Sequence, residues 1–278
     1  MIVWQRRASA AWLRKNETRL RQLAGSSLAI ISQPGRTRSL LEVSCGRRGL
    51  SRQLMREFGG SSRRLPNDWW RSFSSTHPPI RIGRRLEIVS STPHDLPDRA
   101  TLVIPAADAF GTGEHATTAM SLRLLEELTR NLGAGWRLLD AGTGTGILAL
   151  AARRLGARAS LGLDNDPRAV INARRNARLN RITRIKFLVA DILRFKTTER
   201  YEVVTANLFS ELLIAALPVF RRALLAKGWL IVSGILRQQS DSVLSALNRN
   251  GFRLEKKRRR GKWVALQAIR STSFQPVG

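Results

Sequence analysis

Three glycines at alternate positions, Gly142, Gly144 and Gly146, follow an apolar run in the segment LLDAGTGTGILAL. A strand that turns into a helix through such a loop brings its backbone close to a small ligand. A dinucleotide fingerprint would need a third glycine where Ile147 stands, and the Lys-Ser or Lys-Thr pair of a phosphate loop is missing from this segment. The remaining pattern, with Asp140 at the strand end, suits a ligand with a cationic amino group and no pyrophosphate, such as S-adenosylmethionine.

A second acidic strand end supports this prediction. The segment ASLGLD ends at Asp164, about twenty residues beyond the loop, which is the spacing that presents a carboxylate to ribose hydroxyls in an open parallel sheet. Hydrogen bonds to a charged acceptor contribute roughly 1.5–3 kcal/mol each. The alternative is a purely structural unit in which Asp166, before Pro167, caps the next helix. The agreement of loop, helix length and second acidic strand favours a ligand site.

The elements that must position these residues alternate between strand and helix from Thr101 onward. Alternation of this kind predicts an α/β fold with a doubly wound, Rossmann-like sheet, here closed by an antiparallel hairpin. Ligands of such sheets bind outside the carboxyl ends of the strands. The polar residues predicted at those ends are Asp140, Asp164, Asp191 and Asn207.

The chain before this part divides into two predicted regions. Residues 1–66 have the order βαββαβ, which predicts a small basic α+β domain of the ferredoxin-like type. Residues 67–100 are polar and rich in Ser and Pro, and they are predicted to be a linker to the third region, 101–278. The segments LEIVS and ATLVIP are predicted to pair as a hairpin. An alternative for the Arg-rich, acid-poor opening is an organellar transit peptide.

Composition restricts the class of protein further. Lys and Arg total 48 against 20 acidic residues, a formal net charge of +28, and such a field favours a polyanion such as RNA or a ribosomal particle. A general preference of the host for Arg is the alternative explanation. The single Cys45 excludes a disulfide framework, and the three histidines lack ligand spacing, so no metal is expected. With no apolar run of about 20 residues, the chain is expected to be soluble.

Five segments together resemble one family: AFGTGEHATTAMSL, LLDAGTGTGILALAARRLGA, GLDNDPRAVINARRNARLN, VVTANLFSELL and LIVSGILRQQSDSV. They are similar to the PrmA methyltransferases, which modify the large-subunit ribosomal protein L11. The resemblance implies a class I methyltransferase domain and S-adenosylmethionine as cofactor. It also implies a small N-terminal domain that recognises the ribosomal protein.

The resemblance also implies roles for particular residues. Thr118, Gly142, Asp164 and Asn207 are expected to contact S-adenosylmethionine, with Gly144 in the same loop. Asp191 matches the place where related enzymes hold the adenine amino group. Asn207 is expected to orient the incoming amine and is the predicted catalytic residue, and the alternative is that it only ends a strand by bonding to its own backbone. For His115, a role at a helix start competes with a catalytic role.

The predicted activity is N-methylation of the N-terminal α-amine or of lysines in an L11-like protein, by a cytoplasmic monomer with a possible electrostatic contact to ribosomal RNA. The alternatives are an RNA base methyltransferase, a protein-lysine methyltransferase with another substrate, and a non-catalytic RNA-binding module. Enzymes that methylate base nitrogens commonly carry N-P-P-[YF], whereas this chain has NLFS at Asn207–Ser210. The intact glycine and acidic positions argue against a non-catalytic module.

Overall fold

The structure is a computed structural model that describes residues 2–24, 28–31, 37–45, 48–64, 79–90, 100–105, 113 and 115–272. The chain forms two compact units, Met1–Ser75 and Thr76–Gly278. This boundary lies inside the predicted linker 67–100. Residues 65–78 and 91–99 of that region lie outside the described residues, as does most of the AFGTGE segment. The rest of the predicted linker contributes strands to the larger unit.

The described elements of the N-terminal unit follow the order βαββαβ. They are β1 (Ile2–Ser9), α1 (Ala10–Ala24), β2 (Leu28–Ile31), β3 (Arg38–Cys45), α2 (Arg48–Phe58) and β4 (Ser61–Arg64). The sheet has the strand order β2-β3-β1-β4, and all neighbours are antiparallel. This order and these directions are compatible with a ferredoxin-like assignment, which stays a prediction.

The Arg-rich opening of the chain is part of this packed unit. Trp4 of β1 and Leu20 of α1 are fully buried, together with Leu41 and Leu54. The indole nitrogen of Trp4 donates to the carbonyl oxygen of Gly59 at 2.8 Å, which satisfies its polar atom inside the core. The apolar residues of the opening therefore pack as a strand and a helix of a folded domain.

The larger unit begins with a small sheet of β5 (Ile80–Ile82), β6 (Leu86–Val89) and β7 (Ala100–Val103). The predicted hairpin between LEIVS and ATLVIP is wrong, because β6 and β7 pair in parallel. The antiparallel partner of β6 is β5, reached through a three-residue turn that starts at Gly83. Since a tight turn can join only antiparallel strands, β6 forms its hairpin with β5.

A seven-stranded sheet with helices on both faces forms the rest of this unit. Its strands are β8 (Arg137–Ala141), β9 (Ala159–Asp164), β10 (Ile185–Val189), β11 (Tyr201–Asn207), β12 (Leu224–Leu236), β13 (Phe252–Arg260) and β14 (Trp263–Arg270). The helices are α3 (Ala116–Leu128), α4 (Ile147–Arg154), α5 (Pro167–Leu179), α6 (Ser210–Ala223) and α7 (Ser240–Arg249). The strand order is β10-β9-β8-β11-β12-β14-β13.

This topology confirms the predicted doubly wound α/β fold. The first five strands in that order run parallel, and β14 pairs antiparallel with both β12 and β13. Successive residues of the central strands enter two different cores, because side chains alternate across a sheet. Leu138 packs in the core with α3, α4 and α5, and Leu139 packs in the core with α6 and α7. Burial on both faces explains why these strands read as continuous apolar runs.

A buried carboxylate joins the small sheet to α3. Glu126 is fully buried and accepts from Arg130 at 2.6 Å and from Arg85 at 3.2 Å. These guanidinium groups lower the pKa of Glu126 against the opposing effect of burial, which is the larger single influence.

Among the described residues, no helix is long and apolar enough to cross a membrane.

Candidate functional site

A cleft of about 230 Å³ lies at the carboxyl ends of the parallel strands, where the topology predicts a ligand site. Its wall includes all six residues that were predicted to bind the cofactor: Thr118, Gly142, Gly144, Asp164, Asp191 and Asn207. They come from α3, from the loop after β8, from the ends of β9 and β11, and from the turn after β10. The fold therefore brings together residues that are far apart in the chain.

The glycine loop after β8 approaches the cleft with its backbone. Gly142 has a φ of +70°, and a Cβ atom added there would clash with the side chain of Leu208. Gly144 donates its backbone N–H to Oδ2 of Asp164 at 2.8 Å, and the N–H of Thr143 bonds to the carbonyl oxygen of Leu163 at 2.8 Å. The loop is thus held against the end of β9, and glycine at 142 leaves the space that the side chain of Leu208 occupies.

Two carboxylates face the cleft from neighbouring strands. Asp164 accepts from the N–H of Gly144 through Oδ2 and from the N–H of Asp166 through Oδ1 at 3.0 Å. Because a carboxylate has about four acceptor sites, Asp164 can accept further hydrogen bonds from a ligand. Asp191 accepts from the N–H of Leu193 at 2.9 Å, and its side chain is half exposed. Both side chains are oriented by backbone groups.

Asn207 lies at the base of the cleft inside a chain of side-chain hydrogen bonds. Its Oδ1 accepts from Ser233 at 3.0 Å, and its Nδ2 donates to Oγ1 of Thr118 at 3.3 Å. The hydroxyls of Ser233 and Ser121 are 2.6 Å apart, and both residues are buried. The partners of this amide are therefore hydroxyls of α3 and β12 and not its own backbone, contrary to the strand-end alternative.

The register of the sheet explains why these residues meet. Asn207 of β11 pairs directly with Ser233 of β12, so their side chains lie next to each other on one face. Sequence reasoning missed Ser233 and Ser121 as members of the site. Ser233 lies in the segment LIVSGIL, which carries part of the family resemblance, but only the strand pairing shows which residue it supports.

Asp140 differs from the sequence expectation of a carboxylate beside the ligand. It is 1% exposed and does not line the cleft. Its two oxygens accept from Thr143 at 2.6 Å and from Thr205 at 2.7 Å. Burial raises the pKa of Asp140 to about 6, although both hydroxyl bonds oppose the change. The strand register explains why Asp140 is buried, because it pairs with Thr205 and Gly162 inside the sheet.

His115 acts as the N-cap of α3, which is the helix-start role that the sequence analysis set against a catalytic role. Its Nδ1 accepts from the backbone N–H of Thr117, and it lies 2.8 Å from Oγ1 of the same residue. Burial, and after it the charge of Lys262, lowers the pKa of His115. Asp166 caps α5 by accepting from the N–H of Arg168 at 2.8 Å. The cap at His115 thus fixes the start of α3, the helix that carries Thr118.

Comparisons with known proteins agree with this geometry. Residues 53–271 match the family described as ribosomal protein L11 methyltransferase (PrmA). The chain is 37% identical over 205 residues to the ribosomal protein L11 methyltransferase of Lacticaseibacillus paracasei, covering 73% of this chain and 64% of that protein. It is 36% identical over 244 residues to the enzyme of the same name from Bordetella bronchiseptica, covering 84% of this chain and 76% of that protein.

A solved structure shows the same similarity. The crystal structure of ribosomal protein L11 methylase from Lactobacillus delbrueckii subsp. bulgaricus superposes with a TM-score of 0.62 at 31% identity, covering 69% of this chain and 98% of that chain. The match to the Lacticaseibacillus protein spans just under two thirds of its length, at 64%. The family match over residues 53–271 contains every residue that lines the cleft. The chain therefore belongs to the ribosomal protein L11 methyltransferase (PrmA) family.

Proposed function

We propose that this protein transfers methyl groups from S-adenosylmethionine to amino groups of ribosomal protein L11. The observation that carries the proposal is the cleft at the carboxyl edge of the sheet. It combines a glycine loop, two oriented carboxylates and an asparagine held by hydroxyls. Family membership supports the substrate class, since the relatives are named for this substrate.

The residues of the cleft fit this cofactor. S-adenosylmethionine supplies an electrophilic methyl group on a sulfonium. The free acceptor sites of Asp164 suit the two ribose hydroxyls, and Asp191 suits the adenine amino group. The bare backbone at Gly142 and Gly144 leaves room for the amino acid part of the cofactor. Thr118 closes the wall from α3, where its hydroxyl is already tied to Asn207.

Asn207 is our candidate for the residue that aims the nucleophile. Methyl transfer from a sulfonium is an in-line displacement, so its rate depends on alignment more than on acid–base catalysis. The Oδ1 atom of Asn207 keeps one lone pair beyond its bond from Ser233, and that lone pair can accept from an amine N–H. Because Ser233 and Thr118 fix the carboxamide plane, the amine lone pair can be directed toward the methyl carbon.

The chemistry favours an α-amine as the easiest acceptor. Deprotonating a lysine with a pKa near 10.4 at pH 7 costs about 4.6 kcal/mol, whereas an α-amine near 7.8 costs about 1 kcal/mol. No residue of the described cleft is assigned as a general base, so the proton is released to solvent. Lysine methylation by the same site requires this extra free energy or a higher pH.

An RNA base methyltransferase is the principal alternative. A planar base needs an aromatic clamp beside the asparagine, and here the sequence continues Leu208, Phe209, Ser210 without the two prolines. Phe209 is 77% exposed, and its ring is therefore accessible to a substrate. A protein-lysine methyltransferase with another substrate would use the same site chemistry. Only an assay with different protein substrates distinguishes it from an L11 methyltransferase.

We further propose that residues 1–66 recognise the protein substrate, that a linker within 67–100 joins them to the methyltransferase domain, to which β5 and β6 of that range belong, and that the enzyme acts as a monomer in the cytoplasm. The separate core of the N-terminal unit supports an independent recognition role. A ribosomal protein as substrate supports the cytoplasm, where ribosomal proteins are made. Deleting residues 1–66 should abolish methylation of L11 while cofactor binding is retained.

The activity can be tested by methyl transfer with radiolabelled S-adenosylmethionine. Purified L11, the other ribosomal proteins and ribosomal RNA are offered in parallel, and mass spectrometry locates the methylated nitrogens. We expect label in L11 only, with the α-amine methylated first at neutral pH. Label in RNA would favour the base methyltransferase, and label in another protein would replace the substrate. A reaction without enzyme serves as the control for background incorporation.

A further inference from the structure

The amino edge of the seven-stranded sheet, opposite the cleft, carries a dense group of cations. We call it the amino-edge surface and define it by six residues: Arg153, Arg154, Arg158, Arg178, Arg181 and Arg184. They stand at the carboxyl ends of α4 and α5 and just before β9 and β10. Between residues 153 and 186 the only acidic residues are Asp164 and Asp166, and both lie at the opposite edge.

Backbone contacts hold these arginines together. Nε of Arg153 donates to the carbonyl oxygen of Thr183 at 3.0 Å, and Nη2 of Arg154 donates to the carbonyl oxygen of Asn180 at 2.9 Å. The end of α4 is thereby fixed against the turn between α5 and β10. Burial and then the positive charge of Arg184 lower the pKa of Arg153.

No carboxylate neutralises this group within the described residues. None of its six arginines forms an ion pair there, whereas other arginines of the larger unit, such as Arg85 and Arg258, do. Farther along the same edge, Glu202 of β11 is paired with Arg137 at 3.7 Å. All of the six except Arg153 are exposed. Their charge is therefore presented to solvent.

The turn after α5 shows that arginine is used there against the preference of the backbone. The N–H of Ile182 bonds to the carbonyl oxygen of Ala177 at 3.0 Å, and the N–H of Arg181 bonds to that of Arg178 at 3.0 Å. These are the two bonds of a Schellman motif, in which the residue at the place of Arg181 adopts a left-handed conformation and is usually glycine. Arg181 has a φ of +52°.

Two other helices of the same unit follow the usual rule. The corresponding residue is Gly156 after α4, with a φ of +102°, and Gly251 after α7, with a φ of +69°. Arg184, three residues after Arg181, also has a positive φ, of +54°. Two arginines thus occupy conformations that disfavour any side chain, at a place already crowded with like charge. Neither feature stabilises the fold.

We propose that the amino-edge surface binds the phosphate backbone of RNA. The planar guanidinium fork matches two phosphate oxygens, and each phosphate contact releases condensed counterions. A protein interface has an apolar, aromatic-rich centre, whereas nucleic-acid interfaces are strongly positive, so a surface defined by six arginines favours RNA over an acidic protein. The inference does not depend on the proposed methylation, because it concerns another face of the domain and is measured by binding alone.

The test compares two variants of the full-length protein that each lose two positive charges. R181G/R184G removes charge from the amino-edge surface, and R259Q/R260Q removes it from the exposed basic run of the β13–β14 hairpin. Binding of a fluorescein-labelled 24-nucleotide RNA hairpin is followed by anisotropy at several salt concentrations. We expect R181G/R184G to weaken binding at least fivefold and to reduce the salt slope by about 1.4–1.8, and R259Q/R260Q to change the affinity less than twofold.

Glycine suits the backbone at both positions, so the first variant should fold, and its thermal unfolding checks this. A third variant, R158Q/R178Q, keeps the two left-handed residues and should also weaken binding at least fivefold. Equal weakening of RNA binding by R181G/R184G and R259Q/R260Q would show a diffuse charge effect and overturn the proposal. Unchanged RNA binding by R181G/R184G would also overturn it. So would a loss of affinity for polyglutamate, in the same variant, as large as the loss for RNA.

Discussion

The two edges of the seven-stranded sheet use the same backbone conformation for opposite purposes. At the carboxyl edge Gly142 and Gly144 have φ values of +70° and +54°, and both line a cleft whose wall also carries acidic and amide groups. At the amino edge Arg181 and Arg184 have φ values of +52° and +54°, and the side chains are kept. The same left-handed conformation is therefore used by glycine where the backbone lines a cleft, and by arginine where positive charge is presented to solvent.

The largest expected effect tests the acidic side of this comparison. Asp164→Ala should weaken binding of S-adenosylhomocysteine by about 2–4 kcal/mol, because two charge-assisted hydrogen bonds to the ribose are lost. Isothermal titration calorimetry measures the change. Asp166→Ala is the matched control, since it removes the α5 cap and about 1 kcal/mol of stability but no proposed ligand contact. Equal affinities for Asp164→Ala and the wild type would remove Asp164 from the site.

The second prediction concerns catalysis at the carboxyl edge. Asn207→Ala should lower kcat by roughly tenfold to a thousandfold, on the order of 1.4–4 kcal/mol, with little change in cofactor affinity, because alignment matters mainly in the transition state. Ser233→Ala should cause a smaller loss, since Ser233 acts through Asn207. The double variant should be no slower than Asn207→Ala alone. Normal single-turnover methyl transfer by Asn207→Ala would leave that residue without a catalytic role.

The third prediction uses the buried carboxylate beneath the cleft. The pKa of Asp140 is raised from 3.8 to about 6 in the folded state. A raised pKa means that the folded protein binds the proton more tightly, so this contribution to stability is complete below pH 4 and is lost as the pH rises through 6. The loss is roughly 2–3 kcal/mol. Asp140→Asn cannot ionise, so its stability relative to the wild type should increase by this amount between pH 4 and 7.

Urea unfolding at pH 4, 5, 6 and 7 measures that difference. Asp191→Asn is the control, because this carboxylate is half exposed at the cleft rim. A constant difference in unfolding free energy between Asp140→Asn and the wild type across this range would contradict the prediction.

The smallest effect tests the amino edge. Arg181→Gly should raise the free energy of unfolding by about 1 kcal/mol, because glycine adopts the left-handed conformation without the penalty of a Cβ atom. Gly156→Ala at the equivalent place after α4 should lower it by a similar amount. Opposite signs would show that the arginine of this edge is kept against the preference of the backbone. A destabilised Arg181→Gly variant would mean that the arginine serves the fold itself.

Much of the fold and of the site could be predicted from local patterns. The alternation of apolar runs with amphipathic segments indicated the doubly wound sheet, and the glycine loop and strand-end acids indicated the cleft. Those features depend on short-range geometry, in which a polar residue at a strand end must lie at the carboxyl edge. The pairing of β6 could not be predicted, because an apolar strand of four residues has no signal for the direction of its partner.

The sequence by itself determined which residues could bind a ligand: Gly142, Asp164, Asp191 and Asn207, each identified by its type and its place after an apolar run. Only the tertiary structure decided how they are held. The register of β11 against β12 places Ser233 beside Asn207, and the register of β8 against β11 turns Asp140 inward to Thr205. Register is a property of two strands that are distant in the chain, and for that reason no single segment contains it.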